Sequence, residues 1–271
     1  MKRKLTLQLR FHNIPVIISW LWIPFVIFMW YTHTLKTMMC IFLMLSIHEA
    51  AHILVAHYFQ YEISSVIVYP FGLCAHMDHM GYGNIYKELL IILVGPLTHL
   101  CFPFFINMAM RADMISNTYG QYLLMMNTSI FIFNILPVYP LDGGRVVQSL
   151  FHLIFRFKIA QILTLITSIW NLWLLYCYRF LSGISGTIVF LFLGMQIIMS
   201  FYQLSYHQLA FYHYRYRNPA TGRVILNEGN DLYRSKTNIM KVKNGWMDEK
   251  QWLSFYFHRP LLKRKHHTKI L

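Results

Sequence analysis

The chain has 271 residues, of which 56% are hydrophobic and 13% are charged, and its formal net charge is +14. A soluble globular protein carries about a quarter charged residues, so this composition argues against an ordinary soluble enzyme. A large soluble helical bundle is the alternative, but its helices would lack polar outer faces. The composition therefore predicts an integral membrane protein.

Six apolar segments follow one another, each close to the ~20 residues that a helix needs to cross a bilayer. They cover residues 14–31, 37–58, 89–110, 121–140, 159–180 and 186–206. We expect an all-α polytopic membrane protein with six transmembrane helices, a small membrane-associated strand or loop region and a short cytoplasmic tail. Residues 1–206 would form the membrane domain, and residues 207–271 a basic tail or small domain.

Basic residues predict the orientation of the chain. Eleven of the 24 Lys and Arg residues precede residue 207, and thirteen follow it. Lys and Arg favour the cytoplasmic side, and an even number of spans places both termini there. The basic tail fits attraction to anionic lipid headgroups better than binding to nucleic acid, which we do not expect as a partner.

The second predicted span contains a His-Glu-x-x-His pattern, formed by His48, Glu49 and His52. Residues i and i+4 lie on one face of a helix, so the two imidazoles can bind one metal ion. Glu49 is offset by one position, where a carboxylate can act as general base toward water. Ionisable groups at this depth are costly and are functional by default. The pattern predicts a zinc hydrolase site within the membrane.

A zinc site of this kind needs a third protein ligand, and Asp142 is the best candidate. It follows Pro137 and Pro140, which interrupt the fourth predicted span, and precedes Gly143 and Gly144. Irregular backbone at membrane depth survives only where protein or a water-filled cavity covers it. We therefore expect Asp142 in a site toward the cytoplasmic end of this span. The alternative is a carboxylate that only caps the following helix.

Other polar residues are weaker candidates for metal binding. His57 faces away from the paired histidines on the predicted helix, and Glu62 lies past its end. Cys74 has His76 and His79 as neighbours, but their spacing matches no standard zinc pattern. We therefore expect no second metal site.

Together, the motifs resemble those of the site-2 family of intramembrane zinc metalloproteases. The resemblance is carried by His48-Glu-Ala-Ala-His52 and by Asn134-Ile-Leu-Pro-Val-Tyr-Pro-Leu-Asp142-Gly-Gly. It implies that residues 66–79 form a membrane re-entrant strand or hairpin, whose edge could hold an unwound substrate by β-addition.

The same resemblance implies a role for each motif residue. Zn²⁺ would be the cofactor, and the enzyme would be a metalloendopeptidase. The implied metal ligands are His48, His52 and Asp142, the implied general base is Glu49, and the implied substrate-binding residues are Asn134 and Pro140.

The order of features is most similar to that of the sporulation proteases of endospore-forming bacteria. That subgroup implies cleavage of pro-sigma-K near the cytoplasmic face, a membrane inhibitory partner and a place in the outer forespore membrane. The alternative is a general site-2 protease that cleaves an anti-sigma factor or a signal-peptide remnant. The subgroup's nucleotide-sensing CBS domain does not fit completely into residues 207–271, which leaves a truncated CBS-like segment. Nucleotide binding and oligomeric state stay open.

Two functions of other classes could use the same residues. A zinc transporter would need further polar groups along a path across several spans, and beyond His99 the chain has few of them. A catalytically silent relative would be expected to lack Glu49 or a metal ligand, and this chain retains all of them. The motifs therefore favour a protease.

Overall fold

A computed structural model describes residues 7–11, 14–69, 72–179, 183–242 and 245–258. Helices predominate in this part of the chain, and two small sheets accompany them. The helices are α1 (Trp22–Tyr31), α2 (Leu35–Tyr58), α3 (Ile85–Thr98), α4 (Phe102–Arg111), α5 (Asn117–Ile135), α6 (Asp142–Ile154), α7 (Phe157–Cys177), α8 (Gly183–Tyr202), α9 (Leu204–Arg217) and α10 (Glu249–His258). The strands are β1 (Leu7–Phe11), β2 (Ile14–Ile18), β3 (Ile63–Tyr69), β4 (Gly72–Met77), β5 (Val224–Asn227), β6 (Thr237–Val242) and β7 (Gly245–Asp248).

The membrane character is supported by long apolar helices. Within the described ranges, three helical segments are long and apolar enough to cross a bilayer: Leu35–Tyr58, Ile85–Arg111 and Phe157–Cys177. A fourth would be the pair Gly186–Tyr202 and Leu204–Arg217, which is bent by 56°. The outward face of α7 is apolar yet exposed, through Ile166, Ile169, Trp170 and Trp173. Such a face fits contact with lipid rather than water.

Six uninterrupted spans are not what the described residues show. The first expected span, residues 14–31, divides into strand β2 and the short helix α1 of 10 residues. An apolar run with β-branched residues fits a buried strand as well as a helix, and here pairing with two neighbouring strands decides for the strand. Helix α5, in the fourth expected span, ends at Ile135 and is not among the three long apolar segments. The expectation of an all-α fold is therefore corrected to a mostly helical fold with small sheets.

The N-terminal sheet has the order β1-β2-β3-β4. Strands β2 and β3 are parallel, with Val16 opposite Val66, whereas the other two pairs are antiparallel. Strands β3 and β4 form the hairpin expected at residues 66–79, with Tyr69 paired to Gly72. Among the described strands β4 is at the edge of this sheet, and Ala75 from this strand reaches the cavity described below.

The tail forms a small unit that packs on the start of α7. Its strands have the order β5-β6-β7, with a parallel and an antiparallel pair. The ring of Phe157 stacks on Phe211 with 4.2 Å between centroids, and its backbone N–H donates to the Leu232 carbonyl at 2.9 Å. Leu253 and Met240 complete a fully buried cluster around these residues. The residues of the tail therefore share a core with α7, and an independent domain at residues 207–271 stays a prediction.

Candidate metal centre and its cavity

Helix α2 brings the two histidines of the motif onto one face. The Nε2 atoms of His48 and His52 are 3.1 Å apart, and their rings meet edge to face with 4.7 Å between centroids. Both side chains are buried. This geometry is what the i, i+4 spacing predicts, since each turn of an α-helix advances 3.6 residues.

Asp142 reaches the same point from the first turn of α6. Its Oδ2 lies 3.1 Å from His48 Nε2 and 3.3 Å from His52 Nε2. A Cβ at Gly143 would overlap the Ile135 carbonyl, because α6 begins directly against the end of α5. The glycine pair thus permits the close approach that carries Asp142 to α2, over 94 residues of sequence.

The electrostatics of Asp142 favour the ionised form. Imidazole nitrogens of His48 and His52 lie within 3.3 Å of its Oδ2, and a proton held by either ring stabilises the carboxylate. An ionised carboxylate is the form that binds a metal ion.

The three side chains fit a zinc ion. Their ligand atoms form a triangle with sides of 3.1, 3.1 and 3.3 Å. Zinc–ligand bonds of ~2.0–2.1 Å in a tetrahedral site place ligand atoms about 3.3 Å apart. The other ring nitrogen of His52, Nδ1, lies 2.6 Å from the Ile91 carbonyl oxygen and donates its hydrogen to it. This bond leaves the Nε2 lone pair of His52 free for a metal.

Helix α3 leaves space for the ligand atoms at Gly95. A Cβ at this position would overlap the His52 imidazole and would lie 2.8 Å from His48 Nε2. Every larger residue would therefore displace the ligands. The sequence did not place Gly95 beside the metal ligands, because no local pattern says which helix packs against α2.

A cavity of about 450 Å³ adjoins the cluster. Glu49, His52 and Asp142 line it together, so the expected general base and two of the expected metal ligands face one space. Strand β4 contributes Ala75, His76 and Met77, and the remaining polar walls include Tyr139, Arg145, Gln148, Ser149, His207 and Arg234. The cavity therefore joins the metal cluster to a strand edge and to the tail.

An ion pair that sequence reasoning missed forms part of the cavity wall. Arg234 Nη2 lies 2.5 Å from Glu88 Oε2, and both side chains are almost fully buried. Glu88 also accepts hydrogen bonds from the backbone N–H groups of Gly81 and Gly83, at 3.0 and 3.1 Å. No motif marks Arg234, and only the folded tail shows that it reaches α3.

The two expected substrate-binding residues, Asn134 and Pro140, do not line the cavity beside the metal cluster. Asn134 lies in the last turn of α5, and its side-chain amide donates to the Ile130 carbonyl at 3.1 Å. The Tyr139–Pro140 peptide bond is cis. Of this segment, Tyr139 lines the cavity, whereas Asn134 and Pro140 are not among its lining residues. Their contact with substrate stays a prediction.

The weaker metal candidates lie apart from the cluster of His48, His52 and Asp142. His57 and Glu62 are exposed and lie outside the metal cluster. His76 and His79 are also exposed, and the side chain of Cys74 lies outside the described part of the structure. Within the described residues, His48, His52 and Asp142 form the one group able to hold a metal ion.

Comparison with known proteins gives consistent matches. The model of peptidase family M50 matches residues 109–175, which include Asp142. The chain is 30% identical over 219 residues to stage IV sporulation protein FB of Bacillus subtilis (strain 168), which covers 80% of this chain and 74% of that protein. It is 27% identical over 113 residues to a zinc metalloprotease of Methanocaldococcus jannaschii, covering 41% of this chain and 32% of that one.

A solved structure shares the fold. The site-2 protease from Methanocaldococcus jannaschii superposes with a TM-score of 0.52 at 19% identity, over 72% of this chain and 94% of that one. At this level of identity the likeness concerns the arrangement of elements alone.

Proposed function

We propose an intramembrane protease function for this chain, which belongs to peptidase family M50, the site-2 protease family. The reaction is hydrolysis of a peptide bond in a membrane-associated protein, near the cytoplasmic face. One observation carries the proposal. Two imidazole nitrogens and a carboxylate oxygen converge within 3.3 Å, and Glu49 lines the cavity beside them.

His48, His52 and Asp142 would hold the zinc ion of this metalloprotease family. When bound, zinc acts as a Lewis acid that lowers the pKa of water and polarises a carbonyl group. Glu49 follows the first ligand directly in α2 and lines the same cavity as His52 and Asp142, so its carboxylate would lie beside a bound metal ion without occupying the ligand face. We assign Glu49 the role of general base, which accepts a proton from the attacking water and delivers it to the leaving nitrogen.

Substrate would enter as an extended segment. A helical segment has its carbonyl groups engaged in hydrogen bonds, so it must unwind before hydrolysis. Strand β4 is an edge strand of the described sheet, and its residues Ala75 and Met77 line the cavity. An extended substrate can add to such an edge by main-chain hydrogen bonds. Asn134 and Pro140 are proposed to contact the substrate as well.

The relative with 30% identity suggests the substrate class. Stage IV sporulation protein FB is by its name a sporulation protein. We therefore propose a sporulation role for this chain, with pro-sigma-K as substrate, a place in the outer forespore membrane and a membrane inhibitory partner. A general site-2 protease acting on an anti-sigma factor or a signal-peptide remnant is the alternative. Basic residues in the tail and at the N-terminus support cytoplasmic placement of both termini.

Co-expression tests function and substrate together. The full chain is produced with pro-sigma-K in one culture and with a membrane-anchored anti-sigma factor in another, and shortened products are sought by immunoblot. We expect shortened pro-sigma-K with the wild-type chain and none with Glu49→Gln. Cleavage of the anti-sigma factor alone would replace the substrate proposal. Equal cleavage by the Glu49→Gln variant would contradict the role of Glu49.

A further inference from the structure

A buried histidine outside the metal cluster lies against one of its ligands. His99 caps the end of α3 and is 1% exposed, and its ring centroid is 5.2 Å from that of His48. It is not one of the residues whose ligand atoms converge. A buried imidazole beside a metal ligand can orient that ligand through a hydrogen bond.

The tautomer of His99 follows from its contacts with Asn127. The Asn127 side-chain amide donates through Nδ2 to the His99 carbonyl at 3.0 Å, which fixes the orientation of the amide. The Asn127 oxygen then faces His99 Nδ1 at 2.7 Å and accepts its hydrogen. A neutral imidazole that donates through Nδ1 keeps an acceptor lone pair on Nε2.

The imidazole of His48 needs a hydrogen-bond acceptor for its Nδ1. With its Nε2 lone pair on a bound metal ion, His48 would carry its hydrogen on Nδ1. Within the described residues, both His48 Nδ1 and His99 Nε2 are buried without a hydrogen-bond partner. The two rings lie 5.2 Å apart between centroids at an interplanar angle of 49°, so a small rotation of the rings would bring these two nitrogens to hydrogen-bond distance.

Helix α3 already provides a hydrogen-bond acceptor for the other ligand histidine, His52. The Ile91 carbonyl accepts the Nδ1 hydrogen of His52 at 2.6 Å, and Gly95 leaves room for both rings. Ile91, Gly95 and His99 are spaced by four residues, so they follow one stripe along α3. The stripe therefore offers one acceptor beside each ligand histidine.

We propose that His99, held by Asn127, is a positioning residue for His48. It accepts the Nδ1 hydrogen of His48 and so fixes the tautomer and the ring orientation that present Nε2 to the metal. This inference rests on the proposed zinc site but not on proteolysis. Support of this type changes metal affinity by about 10–100-fold when it is removed.

Two substitutions of His99 separate positioning from packing. His99→Asn places its amide where Nδ1 was and can keep the contact with Asn127, but it removes the acceptor at the Nε2 position. His99→Gln reaches the Nε2 position with its carbonyl oxygen and retains an acceptor for His48. The full chain is purified in detergent, and zinc affinity is measured by competition with a chromophoric chelator. The absorption spectrum of the Co²⁺-loaded protein and the melting temperature of the metal-free protein are recorded alongside.

We expect His99→Asn to bind zinc about 10–100-fold more weakly and to alter the Co²⁺ spectrum, and His99→Gln to remain close to wild type. Equal affinities for both variants, or wild-type affinity for His99→Asn, would overturn the positioning role. A wild-type chain that binds no zinc would instead overturn the proposed metal centre.

Asn127 provides a second pair of variants if His99→Asn does not fold. Asn127→Asp keeps the acceptor for His99, whereas Asn127→Leu removes it. Weaker zinc binding by the leucine variant alone supports the proposal, and equal binding by both contradicts it.

Discussion

Glu88 of α3 and Arg234 of the tail form a buried ion pair at the wall of the metal-site cavity, with 2.5 Å between Oε2 and Nη2. Arg234 also donates to the Gly83 carbonyl, at 3.2 Å through Nε and at 3.1 Å through Nη2. The pair ties the tail to a helix that lies against both ligand histidines. The position of the tail and the shape of the cavity are therefore coupled.

Removing one partner of this pair should destabilise the fold strongly. Arg234→Met leaves the buried Glu88 carboxylate unpaired, and we expect the free energy of unfolding to fall by about 3–5 kcal/mol. Glu88→Gln combined with Arg234→Met should recover part of this loss, because a neutral amide replaces the unpaired charge. Unfolding of the detergent-solubilised chain by denaturant measures both values.

The exposed ion pair between Lys241 and Glu228 is the matched control. Lys241→Met should leave stability almost unchanged, since solvent screens this pair. An Arg234→Met variant as stable as Lys241→Met would contradict the coupling of the tail to α3.

Gly95→Ala should abolish zinc binding without unfolding the protein. The added methyl group would overlap the His52 ring and crowd His48, so the ligand triangle cannot keep its geometry. Gly194→Ala is the control, because a Cβ there meets Leu172 only at 4.0 Å. Zinc content per purified chain is measured for both variants. Full zinc occupancy in Gly95→Ala would contradict the close packing of α3 at Gly95 against the ligand histidines.

Asp142→Asn should weaken zinc binding while the fold persists. An amide cannot supply the negative charge that the ionised carboxylate gives to the metal, although its shape is the same. Chelator competition with the variant and wild type gives the change in affinity. Unchanged zinc affinity would remove Asp142 from the set of ligands.

Stability should fall in mild acid through His152. This residue is buried and stacks on Phe157, and burial together with the nearby Arg234 charge holds the pKa of its imidazole well below the ordinary value. Folded His152 is therefore neutral, whereas the unfolded chain takes up a proton below about pH 6.5. Above that pH His152 costs no stability. As the pH falls below it, proton uptake by the unfolded chain lowers the free energy of unfolding by up to about 1.4 kcal/mol per pH unit.

A substitution isolates this contribution from those of other groups. His152→Phe keeps a ring on Phe157 and should reduce the loss of stability between about pH 7 and pH 5. His57→Phe, at an exposed histidine, is the control for the loss of an imidazole. Parallel curves for wild type and His152→Phe would contradict the assignment.

The sequence predicted the parts of the site that depend on local spacing. His48, Glu49 and His52 are neighbours within two turns of one helix, and the glycines after Asp142 mark a sharp backbone junction. These features follow from helix geometry and backbone sterics, so they can be predicted before any tertiary contact is known.

The missed parts depend on which elements pack together. Gly95, His99 and Glu88 acquire their roles only because α3 lies against α2 and because the tail returns to α3. No periodicity in the sequence indicates these contacts. Residues 14–18 form a strand for a similar reason, since pairing with Val66 and its neighbours decides between strand and helix.

The central claim is that this chain is a zinc-dependent protease whose proton transfer is carried out by Glu49. The most direct test measures zinc content and peptide-bond cleavage for the same purified preparation of Glu49→Gln, with pro-sigma-K as substrate. We predict a full complement of zinc, because His48, His52 and Asp142 are intact, and a cleavage rate reduced by at least about 10²–10⁴-fold. A zinc-loaded Glu49→Gln variant that cleaves at the wild-type rate would contradict the claim.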